Sequence, residues 1–367
     1  MDHCHITGKF RGPACNTCNL KFKTPRFLPV FFHNLTNYDL HLFIRELGVD
    51  KKDMKIIPQT EEKYISLTKS LGGKIKIRFL DSFRFMASSL DSLSSFLPKE
   101  AFSHMRQFFP PDKVELLLRK GIYPYDYMDD ISKCNDTHLP PKSSFFNKLN
   151  ESSITDEEYA HALNVWKEFQ VQNLGEYTDL YVKSDVLLLT DIFENFRNLC
   201  LTTYKLDPVW YYTAPGLSWD AMLKMTNVRL ELFTDYDMLL FVEKGIRGGI
   251  SQCSNRYAKA NNKYLEDFDP EKPSNFLMYF DANNLYGWAM SQPLPISDFS
   301  WINEVDITNI PDDSSFGYIL EVDIQYPTEL HDTHSDFPFT PENTIPPGCK
   351  EKRLLTTMKN KKNYAMH

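Results

Sequence analysis

Four short stretches of this 367-residue sequence set metal-ligating or proton-handling side chains at chemically useful spacings. The first is Asp2-His3-Cys4-His5, followed by Cys15-Asn-Thr-Cys18-Asn19. A Cys-x-x-Cys turn offers two thiolates to a tetrahedral zinc, but a structural site needs four ligands, so one pair is half a site or simply two thiols. The second is Phe32-His-Asn34-Leu-Thr-Asn-Tyr38-Asp39, where a carboxylate follows an apolar run. Mg2+ takes one or two carboxylates beside a substrate phosphate, although turns and caps use the same residue types. The third is Tyr181-Val-Lys-Ser-Asp185, whose phenol and carboxylate share a helix face at i and i+4. The fourth is Leu277-Met-Tyr-Phe280-Asp281-Ala-Asn-Asn284-Leu285-Tyr286. A strand ending in a carboxylate, then a tight turn into an amphipathic segment, offers a metal ligand and backbone N–H groups to a phosphate. A capping Asp and a core Tyr are the plainer alternative.

Residues so far apart need a scaffold, and the length predicts two or three domains at about 150 residues each. Proline divides the chain. None occurs in 142–207, which reads as helical: Thr155-Asp-Glu-Glu158 is a capping box ahead of Tyr159, Leu163, Trp166 and Phe169. Asn173-Leu-Gly175 breaks that helix, and a longer one from about Tyr177 to Tyr204 is expected to bury Leu180, Val186, Leu189, Phe193 and Phe196. Eight prolines between Pro293 and Pro347 predict loops and short elements there. Strands are expected at Leu28–Phe32, Lys74–Leu80, Phe276–Phe280 and Gly317–Ile324. Long helices mixed with such strands make an α/β or α+β multidomain chain.

Composition excludes some classes of function. Hydrophobic residues at 42% and charged residues at 25% exclude wholesale disorder, and a net charge of −8 argues against a uniformly basic coat. Lys and Arg gather at the two ends, from Lys9 to Arg26 and from Lys350 to Lys362. Seven scattered cysteines do not make a secreted disulfide framework and fit a reducing, intracellular setting. The opening Met-Asp-His-Cys-His lacks the apolar stretch expected of a signal peptide, and no apolar run reaches the ~18 residues of a membrane span.

The order of the motifs is more specific than any one of them. Asn-x-x-x-Tyr-Asp, then Tyr-x-x-x-Asp, then Asp-x-x-x-Leu-Tyr resembles the second and third exonuclease motifs and polymerase motif A of family B DNA polymerases. The resemblance covers nearly the whole chain. It is closest to the protein-primed branch of Polinton/Maverick transposons, linear plasmids and related viruses. Supporting strings are Arg78-Phe-Leu-Asp-Ser-Phe-Arg-Phe-Met86, Ser184-Asp-Val-Leu-Leu-Leu-Thr-Asp, Ile246-Arg-Gly-Gly-Ile250 and Lys361-Lys-Asn-Tyr364. The N-terminal Asp-His-Cys-His and Cys-Asn-x-Cys-Asn strings resemble the second half of the zinc module of recombination endonuclease VII proteins.

The resemblance implies a partial zinc module at 1–24, an RNase H-like 3′–5′ exonuclease domain at 25–205, a linker and the start of the palm at 206–292, and an insertion at 293–367. Asn34, Asp39, Tyr181 and Asp185 would serve proofreading on two Mg2+ ions. Asp281 would hold palm metals, Tyr286 would exclude a ribose 2′-OH beside Asn284 and Leu285, and Arg247, Gly248 and Gly249 would touch the template backbone. Ile246 stands where the family has Tyr. Cys15 and Cys18 would take Zn2+. Primer–template DNA, dNTPs and a terminal priming protein are the implied partners, without a membrane, and the nucleus suits a mobile-element polymerase. Two other readings share these residues: a non-catalytic DNA-binding remnant of a mobile element, and a zinc-held structure-specific endonuclease.

The family's Asp-x-Glu motif is expected upstream of Met1, and its fingers Lys motif and Asp-Thr-Asp beyond His367. A lone carboxylate holds Mg2+ weakly, because the ion gives up water reluctantly. With labelled primer–template, Mg2+ and dNTPs, the purified chain is expected to bind DNA in a salt-sensitive way but to add no nucleotides. Extension abolished by Asp281→Ala would overturn that expectation.

Overall fold

The computed structural model describes residues 2–3, 10–12, 15, 27–50, 52–60, 63–72, 75–149, 151–311 and 313–366. Its contacts divide the chain into two units, Met1–Val228 and Arg229–His367. Both helices and strands occur, so the mixed α/β class expected from the sequence is the observed one. Among the described residues no helix is long and apolar enough to cross a membrane.

The first unit opens with a short antiparallel pair, β1 (Asp2–His3) and β2 (Phe10–Gly12). A four-stranded sheet follows, built from β3 (Leu28–Phe32), β4 (Met54–Pro58), β5 (Tyr64–Gly72) and β6 (Ile75–Asp81) in the order β3-β6-β5-β4. β3 runs parallel to β6 and the other neighbours are antiparallel. Leu35, Leu40 and Leu67 form a small core with helix α1 (Asp39–Leu47). The expected strands at 28–32 and 74–80 are therefore present. β4 and β5 went unread, because charged and hydroxylated residues interrupt their apolar ones.

Five further helices complete the unit: α2 (Leu90–Phe96), α3 (Ser103–Phe108), α4 (Asp156–Glu168), α5 (Leu174–Thr203) and α6 (Ala214–Thr226). The Thr155/Glu158 capping box forms with both of its hydrogen bonds. α5 starts at Leu174, earlier than expected, because the Asn173 side chain caps the Glu176 N–H at 2.9 Å and the Leu174 N–H reaches the Asp136 carbonyl at 2.9 Å. Two expected core positions are outside: Leu163 and Val186 are exposed, while Ala162, Val165, Leu188 and Ile192 face inward. Tyr159, Trp166, Phe169, Leu180 and Leu189 pack against the core and Phe193 is buried, as expected.

α5 spans 30 residues, about 45 Å at 1.5 Å per residue. Phe102, Met105, Val114, Leu174 and Leu188 belong to the main core packed along it. Its Phe193 ring lies 4.1 Å from Phe31 of β3, which seats the helix against the sheet. Buried Asp191 accepts the N–H groups of His104 and Met105 at 2.8 and 2.9 Å, tying α5 to the start of α3.

The second unit has shorter elements. They are α7 (Tyr236–Gly245), α8 (Leu285–Met290), β7 (Leu320–Ile324), β8 (Glu342–Thr344), β9 (Arg353–Leu355) and β10 (Lys361–Met366). β7 pairs antiparallel with β10, and β8 with β9. Lys361 is buried, donates to Thr357 and pairs with Glu342 at 3.2 Å. The proline-rich stretch carries only short elements, as its composition predicts.

Asp191→Ala is expected to cost about 1–3 kcal/mol in urea unfolding, since it orphans two backbone donors. Asp191→Asn, which keeps an acceptor oxygen, should lie between Asp191→Ala and the unaltered chain.

Candidate functional site

Tyr181 and Asp185 lie one turn apart on α5 and meet there a partner that sequence reading missed. Lys120 Nζ donates to Asp185 Oδ2 at 2.7 Å and to Tyr181 Oη at 3.0 Å. The Tyr125 hydroxyl also bonds to that of Tyr181. Tyr123 stacks on the Tyr181 ring, with centroids 4.6 Å apart. Behind the ring lies Gly121: a Cβ there would come within 2.7 Å of Tyr181 Cδ2, so only glycine lets the chain pass so close. Lys120 is 65 positions from Asp185, and the string Lys120-Gly-Ile-Tyr-Pro-Tyr125 is the only local hint of the cluster.

The electrostatics of this cluster are polarised. Burial opposes the Lys120 ammonium, yet Asp185 and then Tyr125 together outweigh it and raise its pKa. Burial, then the Asp185 charge and Tyr125, push the Tyr181 phenol far up, so it stays a neutral donor. Asp185 Oδ1 is buried with no hydrogen-bond partner among the described residues. An orphan carboxylate oxygen is costly in isolation and is suited to a cation or a water. The cluster therefore brings an ammonium, a neutral phenol and an unpaired carboxylate oxygen together within one small space, as far as the described residues go.

Asn34 and Asp39 form a second centre at the carboxyl end of the parallel strands. Register pairs Phe32 with Asp81, so the loops after β3 and β6 leave the sheet side by side. Asp81 is buried and accepts the N–H of Asn34 at 2.8 Å, of Thr36 at 3.3 Å and of Phe83 at 3.0 Å. Asn34 takes a left-handed backbone, φ 67°, and its Oδ1 accepts from Asn37. Asp39 stands in the first turn of α1, where burial raises its pKa and the Asp81 charge adds to it. Among the described residues Asp39 lies in the field of the Asp81 charge, and Asp185 pairs with Lys120. Among those residues no group of three or more His, Cys, Asp or Glu side chains is placed to hold a metal.

The second unit holds Asp281, Asn284, Leu285 and Tyr286. Asn284 caps α8 in a left-handed conformation, φ 51°, and Leu285 and Tyr286 open the helix as expected. Phe276–Phe280 is not a strand, contrary to expectation: it has no regular structure and is exposed, Tyr279 by 92%. A strand needs partner N–H and C=O groups, and only Asn275 finds one, in a bridge to Asn261. Asp281 is exposed at the end of that segment. Arg247 turns inward: it donates to Ala365 O at 2.8 Å and lies 3.8 Å over the Tyr364 ring. A Cβ on Gly248 or Gly249 would meet nothing within 4 Å, so no internal packing demands glycine there. Cys15 is exposed, whereas Cys18 and Asn19 lie outside the described residues.

The family model described as DNA polymerase type B, organellar and viral, matches residues 24–364. A probable DNA polymerase of Podospora anserina is 19% identical over 242 residues, covering 65% of this chain. The chain spans 17% of that relative's length. No solved structure matches.

Gly121→Ala is expected to cost about 1–3 kcal/mol by overpacking against Tyr181. In a Tyr181→Ala background the same change should cost under about 0.5 kcal/mol, as a double-mutant cycle in urea would read. Equal costs in both backgrounds would mean that the glycine is required for another reason.

Proposed function

The chain belongs to the organellar and viral type B DNA polymerases, and from that premise we propose that it carries part of a protein-primed replicative polymerase with a 3′–5′ proofreading centre. The reading rests on one observation: Lys120 and Tyr181 meet at Asp185, whose other carboxylate oxygen is buried and has no hydrogen-bond partner among the described residues. An RNase H-like exonuclease at 25–205, the start of a palm at 206–292 and an insertion at 293–367 belong to the same reading. So do a priming protein and zinc on Cys15 and Cys18.

Asp185 Oδ1 and the Asp39 carboxylate suit Mg2+ as oxygen ligands in the exonuclease, and Asp281 suits it in the palm. Such ions, when bound, activate water and neutralise charge developing on phosphate. Lys120 keeps its proton and sets a fixed positive charge where phosphodiester cleavage builds negative charge. Tyr181, held neutral, donates its hydroxyl proton to a water or a phosphate oxygen. The buried Asp81 fixes the turn that presents Asn34 to the strand end. In the second unit, exposed Tyr286 stands beside Asn284 and Leu285 as the ring that refuses a ribose 2′-OH. Arg247 is committed to Ala365 and Tyr364, so main chain at Gly248 and Gly249 makes the close approach to template.

The test is photocrosslinking of the full chain to a primer–template whose 3′-terminal nucleotide is 4-thiothymidine. A mismatched terminus is expected to label peptides containing Lys120–Tyr125 or Tyr181–Asp185, and a paired terminus those containing Asp281–Trp288. Labelling confined to other peptides would overturn the assignment.

A further inference from the structure

Arg78 is an unusual cation in the first unit. It lies on β6, with its guanidinium carbon 3.5 Å from the Phe27 ring centroid and 4.7 Å from that of Tyr212. Phe27 precedes β3 and Tyr212 follows α5, so two distant segments clamp one side chain. Among the described residues, every other Lys or Arg withdrawn from solvent has an acceptor. Lys69 has Asp50, Lys120 has Asp185, Lys133 has Asp129, Lys142 has Asp156, Arg197 has Asp207 and Lys361 has Glu342. Lys113, Arg84 and Arg247 donate to carbonyls. Arg78 makes no hydrogen bond or ion pair among those residues, and its Nε is buried without a partner.

A guanidinium keeps its charge in proteins and carries five donors in a planar fork. Two rings repay part of its lost hydration through their negative faces, but they accept none of its N–H groups. Burial presses its pKa down, with the Tyr212 phenol opposing, which marks a cation incompletely compensated. A planar fork with unpaired N–H groups matches the oxygens of a phosphate. Beside it Trp210 packs edge-on against Phe27, with centroids 5.3 Å apart and planes at 78°, and is 49% exposed. An exposed indole next to a phosphate receptor is the pairing that holds one nucleotide of a single strand, the base on the ring and the backbone on the cation.

We infer that Arg78, clamped by Phe27 and Tyr212 and flanked by Trp210, binds a backbone phosphate and the adjoining base of single-stranded DNA. The inference rests on the polymerase reading only for the identity of the strand. A free nucleotide offers the same chemistry, and the experiment separates the two.

The experiment is fluorescence anisotropy of a fluorescein-labelled oligothymidylate with the full chain, over a range of KCl concentrations. Arg78→Gln should weaken binding about five- to tenfold at low salt and reduce the slope of log K against log[salt] by about 0.7, one phosphate contact on a single strand. Arg78→Lys keeps the charge and loses the fork, so it should keep the slope and lose several-fold in affinity. Melting temperatures report folding. If Arg78→Gln does not fold, an unchanged affinity in folded Arg78→Lys overturns the inference, as does unchanged affinity and slope in folded Arg78→Gln. Quenching of tryptophan fluorescence by dTMP alone, at the oligonucleotide's affinity and lost in Trp210→Phe, would mean a nucleotide site and overturn the strand assignment. Photocrosslinking that misses Lys120 and Tyr181 while Arg78→Gln still weakens binding would fail the proofreading reading and leave this one standing.

Discussion

A helix turns about 100° and rises 1.5 Å with each residue, so a helix as long as Leu174–Thr203 fixes the bearing of everything attached to it. Its anchors follow one another along its length. The Leu174 amide holds the Asp136 carbonyl, Tyr181 and Asp185 take Lys120, Asp191 takes the N-terminus of the Ser103–Phe108 helix, and Phe193 takes Phe31 of the sheet. Arg197 then grips Asp207 through two nitrogens, at 2.9 and 2.7 Å, and turns the chain back. A shift of one residue in this helix would move all five anchors at once. The cost of breaking several buried polar contacts together is what specifies its register.

How much of this was legible depended on whether the governing interaction was local. Thr155 and Glu158 stand three residues apart and their reciprocal bonds form as read; Leu28–Phe32 shows its strand character within five residues. The pairing of Tyr181 with Asp185 is equally local, since i and i+4 meet on any helix. Lys120 could not be read this way, because nothing in Lys-Gly-Ile-Tyr says which distant carboxylate will neutralise it. Asp81 was likewise passed over: it sits in a string noted only for family likeness, yet it holds the Asn34 turn. Val186 and Leu163 show the limit of reading burial from hydrophobicity, since a helix with apolar residues on several sides can be rotated by one position.

Glycine makes the same distinction from the other direction. Gly121 is required by what it touches, the face of Tyr181, and that requirement is visible only in three dimensions. A Cβ on Gly248 or Gly249 would meet none of the described residues within 4 Å, and neither holds a left-handed backbone. Conformational need and internal packing therefore leave these two unexplained, and close approach from outside is the remaining use of a missing Cβ.

The stretch Asn275–Phe280 reads Asn-Phe-Leu-Met-Tyr-Phe, without charge or proline, and from Phe276 onward it is exposed. Short apolar segments of this kind recruit identical segments from other molecules. Such an exposed apolar run favours self-association as concentration rises, and a charged residue set within it would oppose that without touching the packed core of the first unit.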